Sequence, residues 1–307
     1  YIMIDLPEDF KEIHKLISKS LKKRYKTLKG MELTDTTDLR KRDLLQIQGR
    51  IRGILASKPN PPKWIFQGLS VVAEALKIEH SLELLETQGI KSLFQYFKRM
   101  QKAAESGKTK AVKRVMKDTE METAFLKLYE LVGKGIDHPK LDELYKLIEN
   151  QFKTYPNSKV IVFSHYRDSV KRIVEILKGM ENCRPVAFVG QAGDEGLSQK
   201  SQVKILEQFK ELKYNTIVCT SVGEEGLDIP SVDLVVFYEP VPSEIRSIQR
   251  RGRTGRQSAG KVVVLIARET RDEAFFWVSK YKEKRMKTIL KNMRSHFEEK
   301  QKKLGEF

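Results

Sequence analysis

Cysteine is nearly absent. The two in 307 residues, Cys183 and Cys219, are too few for a disulfide framework or a tetrahedral zinc site. No run of about 18 apolar residues exists, so no segment reads as a bilayer-spanning helix. The opening Tyr1-Ile2-Met3-Ile4-Asp5 lacks the charged region and apolar stretch of a secretory signal, and its missing Met suggests an excised fragment. The expectation is a soluble protein of the cytoplasm. Acidic residues are in deficit, 41 Asp+Glu against 58 Lys+Arg, which leaves a formal net charge of +17 and a sequence pI of about 9.6. That excess favours a polyanionic partner, nucleic acid first and an anionic membrane surface second, and carries no information about fold. Also missing is the phosphate-cradling G-x-x-x-x-G-K-[ST]. Ser106-Gly107-Lys108-Thr109 imitates its tail, but the position that needs the first glycine is Lys102 and the preceding segment reads as helix, so this is an inter-helix turn.

What is present falls into two textures. Residues 1–9 read as a short extended lead ending near Pro7. From Phe10 to Leu28 the apolar residues Phe10, Ile13, Leu16, Ile17, Leu21 and Leu28 recur at helical spacing. The opposite side carries Lys15, Lys19, Lys22, Lys23, Arg24, Lys26 and Lys29. Such a face reads equally as a solvated surface over a core stripe or as a nucleic-acid contact. Further helical patterns cover about 38–55, 64–86, 90–104 and 109–132, the last divisible into two pieces, with Pro59, Pro61 and Pro62 as a break. No strand-like alternation occurs there. The first part is therefore an all-α module.

After Gly133-Lys134-Gly135 the pattern changes. Pro139 suits a first helical position, and Leu141, Leu144, Leu147, Ile148 and Phe152 continue that helix to a stop before Pro156. Short β-branched runs follow at 160–163, 186–189, 216–219, 234–238 and 262–266, separated by helical patterns at 168–177, 198–210 and 243–251. Strands apolar on both faces and alternating with helices indicate a parallel sheet covered on both sides. Ligands then belong at the carboxyl ends of its strands.

Gln249-Arg250-Arg251-Gly252-Arg253-Thr254-Gly255-Arg256 gathers four arginines, a glutamine and two glycines in eight residues. Planar guanidinium forks bind phosphate oxygens bidentately, and glycines let the backbone approach. The stretch resembles motif VI of superfamily 2 helicases. It follows Thr220-Ser221-Val222-Gly223-Glu224-Glu225-Gly226-Leu227-Asp228-Ile229-Pro230, which resembles motif V, and Val160-Ile161-Val162-Phe163-Ser164-His165-Tyr166-Arg167, which resembles motif IV. The wording VGEEGLDIPSVDLVVFYEPVPSEIRSIQRRGRTGR is close to the archaeal Hef helicases, relatives of the FANCM fork-remodelling translocases. The likeness covers nearly the whole chain.

The resemblance implies a RecA-like parallel sheet with helices on both faces, preceded by an all-α insert. The lead at 1–9 would end a missing first RecA-like domain or linker. A thumb-like insert would fill 10–135, a second RecA-like domain 136–282, and a charged terminal helix 283–307. It gives Arg253 and Arg256 arginine-finger roles on an ATP γ-phosphate, with Gln249 facing the same cleft. Gly226 and Asp228 would lie on the nucleotide side; Asp228 alone would read as a turn residue before Ile229-Pro230. Thr220, Ser221 and Gly223 are implied at the nucleic-acid backbone, together with Ser164, Arg167, Gly190, Gln191 and Gln199. His165 reads as a capping or packing residue, and Ser198 with Gln199 as a helix cap. On the insert, Lys19, Lys22, Lys23 and Lys26 are the candidate DNA contacts. No DEAH-type acidic motif is found, so ATP and Mg2+ would be held mainly by the first RecA-like domain. Forked or branched DNA, the first RecA-like domain and a carboxyl-terminal nuclease domain are the partners the resemblance implies, with no membrane. The same domain order occurs in RNA-sensing helicases of the RIG-I-like and Dicer groups, which makes an RNA motor the alternative.

Overall fold

The structure, a computed structural model, describes residues 1–57, 60–107, 109–190, 196–220, 232–240, 260–278 and 280–281. The chain divides into two compact units, Leu6–Pro139 and Tyr1–Asp5 with Lys140–Phe307.

Helices are the regular elements of the first unit's described residues: α1 (Glu8–Gly30), α2 (Lys41–Ser57), α3 (Lys63–Thr87), α4 (Ile90–Glu105), α5 (Lys110–Met116) and α6 (Thr119–Gly133). Helix α1 buries Phe10, Ile13, Ile17, Leu21, Tyr25 and Leu28, spaced by three or four residues, and packs on α3 and α6. Helix α3 is the hub, touching α1, α2, α4 and α5, which is why it buries residues on more than one face, among them Val72, Ala75, Ile78, Leu82 and Leu85. The expected helix over 109–132 is two helices. Asp118 separates them, its carboxylate accepting a 3.4 Å bond from the Met121 amide at the start of α6. Ser106 and Gly107 turn the chain between α4 and α5, Gly107 at φ +69°, where no phosphate loop exists.

The second unit holds α7 (Pro139–Thr154), α8 (Arg167–Lys178) and α9 (Gln199–Lys210) around a six-stranded sheet. Its strands are β1 (Ile2–Ile4), β2 (Val160–Phe163), β3 (Pro185–Phe188), β4 (Thr216–Cys219), β5 (Leu234–Phe237) and β6 (Lys261–Ala267). They run in the order β1-β6-β5-β2-β4-β3, every pair parallel. Period-two alternation sorts the strand side chains into two cores. Val160, Val162, Val218, Leu234, Val236, Val263 and Leu265 pack with α7 and α8 through Leu144, Ile148, Ile173 and Leu177. Ile161, Phe163, Phe188, Ile217, Cys219, Val235 and Phe237 pack on the other face with Leu206 and Phe209 of α9. This is the expected three-layer RecA-like arrangement.

The lead segment is extended, as expected, but it joins this sheet: Ile2–Ile4 is an edge strand, with Ile2, Met3 and Ile4 in register with Leu265, Ile266 and Ala267. Its apolar, partly β-branched sequence can finish a sheet edge, and Ile4 joins the sheet core. The expected helices at 243–251 and 283–307 lie outside the described residues.

Candidate functional site

Because every strand is parallel, all their carboxyl ends reach one edge of the sheet, where irregular backbone can be presented to a ligand. Ladder-like bonds continue past the strands. The Ser164 amide donates to the Cys219 carbonyl at 2.9 Å, Tyr238 to Phe163 at 2.9 Å and Thr220 to Phe188 at 3.3 Å. The ends of β2, β3, β4 and β5 thus form one continuous rim.

On that rim Arg167 opens α8 and donates from Nη2 to the Gly190 carbonyl at 3.0 Å, tying the motif IV turn to the end of β3. Gln202, which sequence reasoning passed over, is buried and donates to the Val189 carbonyl at 3.1 Å, holding the same loop from α9. Ser198 caps α9, its hydroxyl accepting from the Ser201 amide at 3.2 Å, and Gln199 is exposed in the first turn. Thr220 is 6 % exposed and Gly190 is buried.

Ser164 is 1 % exposed, and its hydroxyl donates to Glu239 Oε1 at 3.1 Å. The other oxygen of Glu239 accepts from the His165 amide at 3.0 Å. Beside it Lys140, fully buried in the first turn of α7, donates to the Tyr238 carbonyl at 2.9 Å and pairs with Asp272. Asp272 lies in a helical run over 271–278 and also accepts from the Ala267 amide at 3.4 Å. Burial pushes the Glu239 carboxyl up to about 7; the Lys140 charge opposes the shift, Asp272 adds to it, and the bonds from His165 and Ser164 oppose it. One signal for Lys140 was available: it lies four residues before Leu144 and eight before Ile148, on the helix face those residues bury. Glu239 lies in the bend after β5, where no periodicity marks burial, and Asp272 is the second residue of its short helical run.

In the helical unit the four candidate lysines separate. Lys19 pairs with Glu120 at 3.1 Å, and Lys23 hydrogen-bonds the same carboxylate. The bond from Lys23, against the cost of burial and with help from Lys19, holds the Glu120 carboxyl down to about 2. Lys22 and Lys26 are exposed, and among the described residues neither makes an ion pair. Gln191, Ser221, Gly223, Gly226, Asp228, Gln249, Arg253 and Arg256 lie outside the described residues. No helix among the described residues is long and apolar enough to cross a membrane.

A parallel three-layer sheet with its rim of strand ends, following a helical bundle, has the arrangement of a RecA-like helicase C-terminal domain preceded by its helical insert. Residues 139–258 match the helicase conserved C-terminal domain, and residues 9–134 match the family described as the helical bundle of an ATP-dependent RNA helicase. The Pyrococcus furiosus Hef helicase domain superposes with a TM-score of 0.80 at 43% identity, over 91% of this chain and 57% of that one. A Methanocaldococcus jannaschii protein that carries the name of an ATP-dependent RNA helicase is 40% identical over 95% of this chain and 36% of its own length. The ATP-dependent DNA helicase mph1 of Aspergillus niger is 35% identical over 72% of this chain and 21% of its own length. The chain spans between about a fifth and a third of those two relatives. Its two domains fit a Hef-like C-terminal helicase region, helical insert first and second RecA-like domain after it.

Proposed function

We propose that this chain is the carboxyl-terminal part of the helicase region of an ATP-driven motor that moves on forked or branched DNA in the repair of replication forks. The observation that carries the reading is the rim: four parallel strand ends side by side, with Arg167, Gly190 and Thr220 on them, in a domain similar to that of Hef. The insert would occupy 10–135, the RecA-like domain 136–282 and a terminal helix 283–307. The sequence contains no G-x-x-x-x-G-K-[ST], so ATP and Mg2+ would be held by another RecA-like domain. Arg253 and Arg256 would then reach the γ-phosphate, with Gln249, Gly226 and Asp228 on the same side. Arginine fingers contribute a factor of roughly 10³–10⁵ to turnover by stabilising transition-state charge.

The 307-residue chain alone should hydrolyse ATP at background rate, with or without DNA. Joined to the upstream domain it should show DNA-stimulated hydrolysis, and Arg253→Ala or Arg256→Ala should cut turnover at least 100-fold while DNA affinity changes little. Turnover by the isolated chain, abolished by Arg256→Ala, would refute the division of labour. The RNA reading draws on the names of the archaeal relative and of the helical-bundle family. Competition between forked DNA and duplex RNA of equal length decides it, since RNA readers depend on the A-form groove and its 2′-hydroxyls.

A further inference from the structure

Glu239 is a carboxylate 4 % exposed, with both oxygens engaged by one short turn. Ser164 and His165, which it holds, are the two residues between the end of β2 and Tyr166, the N-cap position of α8. Tyr166 supplies no side-chain cap of its own, so the start of α8 depends on what fixes the residues before it. The next residue, Arg167, reaches across to the Gly190 carbonyl. Glu239 itself is anchored from behind. Its neighbour Tyr238 gives its carbonyl to Lys140, and Lys140 pairs with Asp272 beyond β6. Among the described residues, the charged and titratable groups around it are Lys140 from α7, Asp272 from the segment after β6 and His165 from the turn. A buried acid costs folding energy that an apolar side chain would not, and truncating it leaves its donors unpaired.

We propose that Glu239 is a positioning residue for nucleic-acid binding: it holds the turn between β2 and α8, and through it Arg167 and the Gly190 loop, in the arrangement that receives a strand backbone. The inference rests on the reading of the rim as the strand-binding edge. It adds that a residue touching no nucleic acid sets the affinity of residues that do. Glu239 comes directly after β5, ahead of motif VI in the sequence.

The test uses the 307-residue chain, with Glu239→Ala and Glu239→Gln. Glutamine keeps the shape and can still accept from the His165 amide while its NH2 donates to the Ser164 hydroxyl; alanine can do neither. In Glu239→Ala, amide hydrogen exchange across residues 164–167 should quicken about tenfold, the scale of a hydrogen bond to a charged group. The dissociation constant for a fluorescent forked duplex should rise by a similar factor. Glu239→Gln should restore the protection and most of the affinity. Unchanged exchange in Glu239→Ala overturns the proposal, as does faster exchange with wild-type affinity, which would make Glu239 a brace and nothing more. If Glu239→Ala does not fold, Ser164→Ala removes one of the two bonds; a partial gain in exchange with a partial loss of affinity supports the proposal, and no change in both refutes it. A wild-type chain that binds neither DNA nor RNA would remove the functional reading itself, an outcome distinct from wild-type binding that the variants leave intact.

Discussion

At the scale of single residues, Glu239 ties the stability of the domain to pH with a definite sign. Its carboxyl is raised from an ordinary 4.5 to about 7, chiefly by burial, so the folded form holds the proton more tightly than the unfolded chain. Stability from this group is complete below about pH 4.5 and is lost as pH rises through 7, because charging the buried carboxylate then costs the fold. The full span corresponds to about 3 kcal/mol. Urea midpoints of wild type and Glu239→Gln, compared at pH 5 and pH 8, should show wild type losing stability relative to the variant by most of that amount. Parallel titrations would exclude the buried acid as the cause. Glu120 has the opposite sign: bonded to Lys23 and Lys19, it stabilises above pH 4.5, and its contribution disappears as pH falls toward 2.

At the scale of elements, the turn from α3 to α4 rests on one backbone position. Gly89 has φ +86°, in the left-handed half of conformational space, and a Cβ built there would lie 2.9 Å from the His138 Cβ and 3.3 Å from its amide nitrogen. His138 cannot retreat readily: it is fully buried, and its Nε2 lies 3.0 Å from the Glu86 carbonyl. Gly89→Ala should therefore cost about 2 kcal/mol or more, combining positive-φ strain with a backbone clash, and thermal melting of the chain would register it as a lowered Tm. An unchanged Tm would mean the turn can relax. Elements of this kind were legible where periodicity was strong. Val160-Ile161-Val162-Phe163 is a buried parallel strand as its sequence states, and Pro139 opens α7 as its fixed φ predicts. Three residues of apolar sequence at Ile2–Ile4 carried too little signal, because whether they pair is decided by a strand some 260 positions away. Glu239 and Asp272 escaped for a related reason: charged side chains read as surface, and the fold supplies their partners, Ser164 and His165 for Glu239 and Lys140 for Asp272.

At the scale of the molecule, the +17 charge makes polyanion binding expected, but charge is not evenly available. On α1, Lys19 and Lys23 are committed to Glu120, whereas Lys22 and Lys26 are exposed and make no ion pair among the described residues. If the helical unit touches DNA, Lys22→Glu with Lys26→Glu should lower the magnitude of the log-affinity against log-salt slope by about 0.9 for each phosphate no longer neutralised, with helical circular dichroism preserved. Lys19→Glu with Lys23→Glu should first destabilise the unit, since it strands a buried carboxylate among like charges. An unchanged slope for the Lys22 and Lys26 pair would make this unit a brace between motor domains.

The pairing of β1 with β6 bears on how the chain is made. Ile2 meets Leu265, so 263 positions of sequence separate two neighbouring strands. On a ribosome adding about 10 residues per second, the first strand leaves the exit tunnel roughly half a minute before its partner exists. In that interval Leu6–Pro139 can complete its local helical contacts on its own, while Ile2–Ile4 waits as an unsatisfied edge. Of the strands described in this chain, β1 is thus made before the partner that secures it, and the order of synthesis runs opposite to the order of assembly.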